Sequence, residues 1–324
     1  MTNNSSLNSR NYFLDYYKLI LAIFVVGIHT SPFNEFSKPL SFTFNLGFFR
    51  LAVPTFFLIN GYYATEALTN AQNLKTYLLR IFKLYVFWSV LYFPLFIYTH
   101  DFSIKNLVWG LIVVLYGYGH LWYITALILG MALFYYFLQK FSQKTILILA
   151  IFFYFIGCSV EILQEYFSMF SSGFIVEVAH LQIWKLNFVF FAFPFIAIGY
   201  YLKKVVQYFN NLRYLYFAVL LFSLELVFSY YFLPLGRNML FTLSLLTPCL
   251  FYYFITTKNF QKKTFLLSNY IDKLPNSIYY VHGLVVFFSH SVMPSISNTN
   301  RLFITSFFSI LLGVFLIKVV LYCL

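Results

Sequence analysis

Apolar runs of about twenty residues recur along this chain from end to end, and that recurrence limits its fold more than any single motif. A hydrocarbon layer is crossed by about 20 helical residues, because only a helix satisfies its own backbone polar groups there. Runs bounded by charge, proline or asparagine occupy 14 to 32, 43 to 65, 77 to 98, 121 to 138, 145 to 160, 184 to 202, 213 to 232, 238 to 257, 274 to 292 and 303 to 323. The reading is an all-α, polytopic integral membrane protein of about ten spans, forming one domain over residues 1–324. Composition agrees: 61% of residues are apolar, 9% are charged and mean hydropathy is +0.79, which leaves no solvated surface for a soluble domain. KNLVWGLIVVLYGY, residues 105 to 118, is too short to cross and is expected as a re-entrant or interfacial helix.

Charge placement orients the spans. With ten crossings and a cytoplasmic N-terminus, 15 of the 21 Lys and Arg residues fall on the cytoplasmic side and 6 on the other. That bias follows the positive-inside rule and puts both termini in the cytoplasm of a multi-pass protein of the cell's inner (plasma) membrane. The longest outer loop is then 161 to 183, with Glu161, Glu165 and Glu177. The first 13 residues are polar and no small-residue cleavage pattern follows the first run, so that run is read as a retained span.

A net charge of +12 does not imply nucleic acid here, because the cations stand singly or in pairs at the ends of apolar runs. Cys158, Cys249 and Cys323 lie in or at the end of such runs and read as packed thiols. The spacing of the histidines suggests no metal site.

LDYYKLILAIFVVGIHTSP, residues 14 to 32, is a spanning helix that carries two proton-active groups. Lys18 and His29 are 11 residues apart, which on a helix is about 16 Å of rise and within about 20° of whole turns. They share one face, and the stripe between them crosses most of the membrane. Alone, Lys18 reads as snorkelling to headgroups beside Asp15, and His29 as an interfacial histidine bonded to a carbonyl. Together they suggest a lined pathway, since ionisable groups in spans are costly.

LDYYKLILAIFVVGIH resembles the first helix of the membrane-bound acyltransferase 3 family, a basic residue followed by ten others and histidine. FFRLAVPTFFLINGYY at 48 to 63, RIFK at 80 to 83, HLWYITALI at 120 to 128 and SIYYVHGLVV at 277 to 286 are similar to further family landmarks, in order. Lysine replaces the usual arginine at 18 and 83, and Asn60 replaces a serine. Lysine lacks the planar fork that grips phosphate with two bonds.

The resemblance implies transfer of an acetyl group from cytosolic acetyl-CoA to a hydroxyl of a cell-surface or lipid-linked glycan, with no metal. Lys18, Lys75, Arg80 and Lys83 lie on the expected cytoplasmic side, where they would receive the phosphates of the donor or serve as plain membrane anchors. His29, neutral when partly removed from water, would act as general base or as transient acyl acceptor. Arg50 is assigned to the thioester carbonyl or the acceptor, against a structural partner such as a helix-end carbonyl. Tyr279 and His282 are candidates for orienting the site or for packing. Asn60, which with Gly61 would let helices approach closely, and Tyr123, which with Trp122 reads alternatively as a belt aromatic, are further site candidates, and Glu225 is a buried acid whose partner the sequence does not name. AIFVVGIHTSPF is also similar to the membrane module of vancomycin-resistance serine racemases, which implies the alternative of a transporter for a small amino acid such as serine. The 324 residues do not include the racemase domain expected beside that module.

The orientation is tested with single cysteines placed by Glu165→Cys and Lys262→Cys in otherwise cysteine-free protein. A membrane-impermeant thiol reagent applied from outside is expected to label only the first.

Overall fold

The structure is a computed structural model that describes residues 11–99, 110, 114–170, 186–205, 212–233, 237–257 and 270–323. It is 85% helical, with no strand among the described residues. The helices are α1 (Tyr12–Thr30), the short α2 (Lys38–Phe42), α3 (Ala52–Tyr63), α4 (Ala71–Thr99), α5 (Trp122–Lys140), α6 (Gln143–Phe170), α7 (Phe193–Val205), α8 (Leu212–Phe232), α9 (Leu243–Thr256), α10 (Leu274–Val292) and α11 (Asn298–Cys323).

Among the described residues, seven helical stretches are long and apolar enough to cross a membrane: Tyr12–Thr30, Lys38–Tyr63, Ala71–Thr99, Gly119–Lys140, Gln143–Phe167, Leu212–Phe232 and Asn298–Lys318. The other three expected spans are helical but fall short of that standard. α9 has 14 residues, and α10 is diluted by Asn276, Ser277, His282, Ser289, His290 and Ser291. The segment leading into α7 starts with an irregular turn. Most of 105 to 118, together with Glu177 and the loop beyond Phe170, lies outside the described residues.

Two prolines explain the two irregular turns. Pro54 cannot donate to the carbonyl of Arg50, four residues back, and its ring crowds that turn. The chain ahead of it winds as a π-turn over Thr43–Gly47 and a 3-10 turn over Phe48–Leu51 before α3 begins. Pro194 stands in the same relation to Phe190, inside the π-turn Phe188–Ala192 that precedes α7. Such turns relax the helical ladder and re-aim side chains.

The core is packed by backbone proximity as well as by apolar side chains. A methyl group at Gly61 would lie 2.1 Å from the carbonyl oxygen of Ile196, and one at Gly199 would lie 2.0 Å from that of Leu58. α3 and α7 therefore cross with a glycine from each helix against the other's backbone, the small-residue packing typical of membrane helices. Gly61 does what the sequence suggested for it.

The polar groups at the helix ends are mutually satisfied. Asn11 accepts from the Leu14 amide at 3.1 Å and donates to the carbonyls of Phe254 and Ile255, joining the start of α1 to the end of α9. Arg301 is 2% exposed and donates to the carbonyls of Met293, Pro294 and Ile296 past the end of α10, where a cation complements the helix dipole. Glu35 accepts from the amide and hydroxyl of Thr299 and pins the loop after α1 to the start of α11.

One expectation about acids is corrected and one open point is answered. Glu161 is not a loop residue: α6 runs on to Phe170, and Glu161 is fully buried within it. Glu225 has partners, since its carboxylate accepts from the amides of Phe241 and Thr242, each at 2.8 Å, and from the Thr242 hydroxyl at 2.5 Å, at the start of α9. A carboxylate at a helix N-terminus meets free N–H groups and the positive end of the dipole. Cys158 and Cys249 are buried free thiols, as expected.

Gly61→Leu is expected to destabilise the protein by at least about 3 kcal/mol, because no rotamer change relieves a clash with backbone. Gly110→Ala, where the new methyl meets only the Phe96 ring at 3.5 Å, is expected to change little. Thermal unfolding in detergent measures both.

Candidate functional site

A cavity of about 480 Å³ runs between α1, α3, α4, α5 and α10, within the range of about 300–1,000 Å³ usual for small-molecule sites. Lys18 and His29 both line it, and so do Arg50, Asn60, Arg80, Tyr123 and Tyr279. The face predicted from the 11-residue spacing is thus a wall of one continuous space. Lys75 and Lys83 are exposed on α4 and are not lining residues; Lys75 instead borders a separate apolar groove with Leu78, Phe82 and Ile128. Of the four cations expected to receive the phosphates, Lys18 and Arg80 line the cavity.

At the Lys18 end, the ammonium lies 3.1 Å from the Asp15 carboxylate one turn earlier. It is partly accessible and lines the cavity. The Arg80 guanidinium lies 5.7 Å from the centre of the Tyr77 ring, a cation–π distance. Asp272 and Asn276, on the turn into α10 and its first residues, complete this end. Neither is marked by any motif or spacing.

The middle of the cavity is braced by an amide. Asn60 donates to the Phe56 carbonyl at 2.8 Å and to the Tyr123 hydroxyl at 3.0 Å, and it accepts from the Tyr77 hydroxyl at 3.2 Å. One side chain of α3 therefore ties α4 to α5. Tyr123 is not a belt aromatic, and Trp122 is buried; both line the cavity. The belt expectation failed because these rings pack toward neighbouring helices, which apolar composition alone does not reveal.

At the other end three histidines converge. The His29 ring lies 5.2 Å from that of His282 and 6.4 Å from that of His120, and the latter two are 4.5 Å apart. His29 is enclosed by helices yet keeps accessible surface, because that surface is cavity wall. The Nδ1 of His282 is 2.7 Å from the carbonyl oxygen of Tyr279. A carbonyl only accepts, so Nδ1 donates to it; Nε2 is buried with no partner among the described residues, and neither has Nε2 of His120 one. Tyr279 donates to the carbonyl of His120 at 2.7 Å, which fixes α10 to the start of α5. A methyl group on Gly283 would lie 2.6 Å from the His120 ring and 2.8 Å from the Tyr92 hydroxyl, so this approach needs glycine. His120 was present in the motif HLWYITALI, but nothing in its spacing to His29 or His282 marked it as their neighbour. Among the described residues, no group of three or more His, Cys, Asp or Glu side chains is arranged to hold a metal ion.

Arg50 reaches the same end from the irregular turn before Pro54. Its Nη1 donates to Oδ1 of Asn238 at 2.6 Å. Asn238 is itself oriented by buried Glu161, which accepts from its backbone amide at 2.7 Å and its side-chain amide at 2.8 Å, and from the Met239 amide at 2.7 Å. Neither Asn238 nor Glu161 was legible in the sequence as a partner of Arg50, since they lie 188 and 111 positions away.

The arrangement has two cations, Lys18 and Arg80, beside Asp15 and Asp272 at one end of α1, and an imidazole cluster with a guanidinium at the other. It can hold a long ligand with an anionic head and place the far end beside a proton acceptor.

A family model described as an acyltransferase domain matches residues 11–323. The chain belongs to the acyltransferase 3 family. Family membership and several long apolar helices together make it a multi-pass protein of the lipid bilayer. Two curated proteins from Enterococcus faecalis, both named amino-acid racemase, are 27% identical to it over 292 and 310 residues. These matches cover 86% and 88% of this chain but only 40% and 43% of the racemases. A serine/alanine racemase of Enterococcus gallinarum is 30% identical over 208 residues, 60% of this chain and 29% of the relative. The chain thus spans less than half the length of the curated relatives it matches. No solved structure matches significantly.

Asn60→Ala is expected to cost about 1–3 kcal/mol, the penalty of leaving buried hydroxyl partners unsatisfied. Thermal unfolding in detergent checks it, with Tyr77→Phe, which removes one of the three bonds, expected to lose less.

Proposed function

We propose that the protein transfers an acetyl group from cytosolic acetyl-CoA to a hydroxyl of a cell-surface or lipid-linked glycan on the other side of the plasma membrane. The observation that carries this reading is the single cavity shared by Lys18 and His29 at opposite ends of α1. Lys18 and Arg80 would receive the phosphates of the donor, and the thin pantetheine arm would follow the stripe between Lys18 and His29. Lys75 and Lys83, exposed outside the cavity, would add attraction for the anionic donor without holding it.

In the transfer, the acceptor oxygen bonds to the acetyl carbon and the thioester C–S bond breaks. The hydroxyl proton passes to His29 and from there to the departing thiolate, so that an ester and a free thiol result. His29 would alternatively take the acetyl group first and hand it on. Arg50 would stabilise negative charge developing on the carbonyl oxygen. His282, with its proton held on Nδ1 by Tyr279, would present Nε2 toward the His29 ring and orient it through an intervening water.

A second reading is favoured by the relatives. The racemases match through most of this chain but through less than half of themselves, which is consistent with a shared membrane module that moves a small amino acid such as serine.

His29→Ala is expected to abolish acetylation of envelope glycans, by a factor of at least about 100, the scale of a lost general base. Protein abundance should be unchanged. Retained acetylation would defeat the reading, and serine uptake into vesicles free of acetyl-CoA would favour the second.

A further inference from the structure

Among the described residues, Arg50 has no carboxylate in direct contact: its hydrogen bond goes to a neutral amide, that of Asn238, and its buried Nε has no partner. Asn238 stands between the Arg50 guanidinium and the carboxylate of Glu161, bonded to both. Glu161 already accepts three N–H groups from Asn238 and Met239.

The amide of Asn238 has no choice of orientation. Its NH₂ is committed to Glu161, so its oxygen must face Arg50. Nη1 is thereby fixed, Nε is buried, and Nη2 is left for the cavity that Arg50 lines. The acid among the described lining residues is Asp272, which stands ten positions before His282 on the turn into α10, at the Lys18 end. A guanidinium in a membrane-embedded cavity without a contacting anion is costly. A planar carboxylate matches its fork.

We propose that the ligand taken at this end carries a carboxylate beside the hydroxyl that is acylated, the carboxylate seated on Arg50 and the hydroxyl on His29. An acidic sugar residue and a free hydroxy amino acid share that chemistry. The acylation half of the proposal rests on the transfer reading above, whereas the carboxylate seat rests on the cavity alone.

The test uses the purified full chain in detergent and reads ligand-induced thermal stabilisation. The probes are D-glucuronate against its methyl ester, and L-serine against L-serinamide. At least one acid is expected to bind on the order of tenfold more tightly than its uncharged-carbonyl counterpart, the scale of one charge-assisted hydrogen bond. Arg50→Gln should erase the difference and Arg50→Lys should keep part of it. Stabilisation of Arg50→Gln by coenzyme A shows that this variant is folded. Preference for glucuronate alone assigns the seat to an acidic sugar, and preference for serine alone to a free amino acid. If neither acid is preferred over its counterpart, the proposal is overturned. Adding acetyl-CoA separates the two readings: a carboxylate preference with no ester formed removes the transfer reading and leaves the seat standing.

Discussion

A backbone amide or carbonyl in hydrocarbon must be bonded inside the protein, and the rest of this structure depends on that requirement. It makes uninterrupted helices the default and confines irregular backbone to places where protein surrounds it. The two π-turns of this chain obey it. Thr43–Gly47, with the 3-10 turn that follows, leads to Arg50 and the cavity. Phe188–Ala192 contributes Phe191, which also lines it. Asn187 begins that second turn by accepting the amides of Val189 and Phe190, so the departure from helical bonding is compensated within a few residues.

The same requirement governs the acids. Glu161 and Glu225 are not left as charges among apolar side chains; each gathers backbone amides of the 238–242 segment. The segment has no regular secondary structure up to Leu240, and the two carboxylates supply the acceptors it would otherwise lack. In doing so, they set Asn238, and Asn238 sets Arg50. The site's positive charge is thus positioned by a relay of hydrogen bonds that begins on α6 and α8, well away from the reacting groups.

How much of this was legible in the sequence depended on the range of the interaction. The helical nature of the ten apolar runs and the shared face of Lys18 and His29 follow from local periodicity, which a single segment carries in full. The close approach at Gly61 is also a local signal. By contrast, the meeting of His29, His120 and His282 joins three helices, and the Asn60 brace joins α3 to Tyr77 and Tyr123. Such contacts depend on how helices rotate against one another. The split between Arg80 and Lys83 has the same origin: one turn of α4 turns the first toward the cavity and leaves the second outside, although both sit at one end of the helix.

The crossing of α3 and α7 has a mechanical corollary. Two backbones that touch through glycine cannot slide or separate without losing their whole contact, so this pair is the rigid spine of the bundle. α4 is its opposite, with less than a fifth of its most apolar stretch buried against the protein, while half of α1 is. Since α4 carries Tyr77 and Arg80 on the cavity wall, an outward swing of that helix into lipid would widen the chamber, resisted by the bonds of Tyr77 to Asn60 and of Tyr92 to α10 rather than by packing.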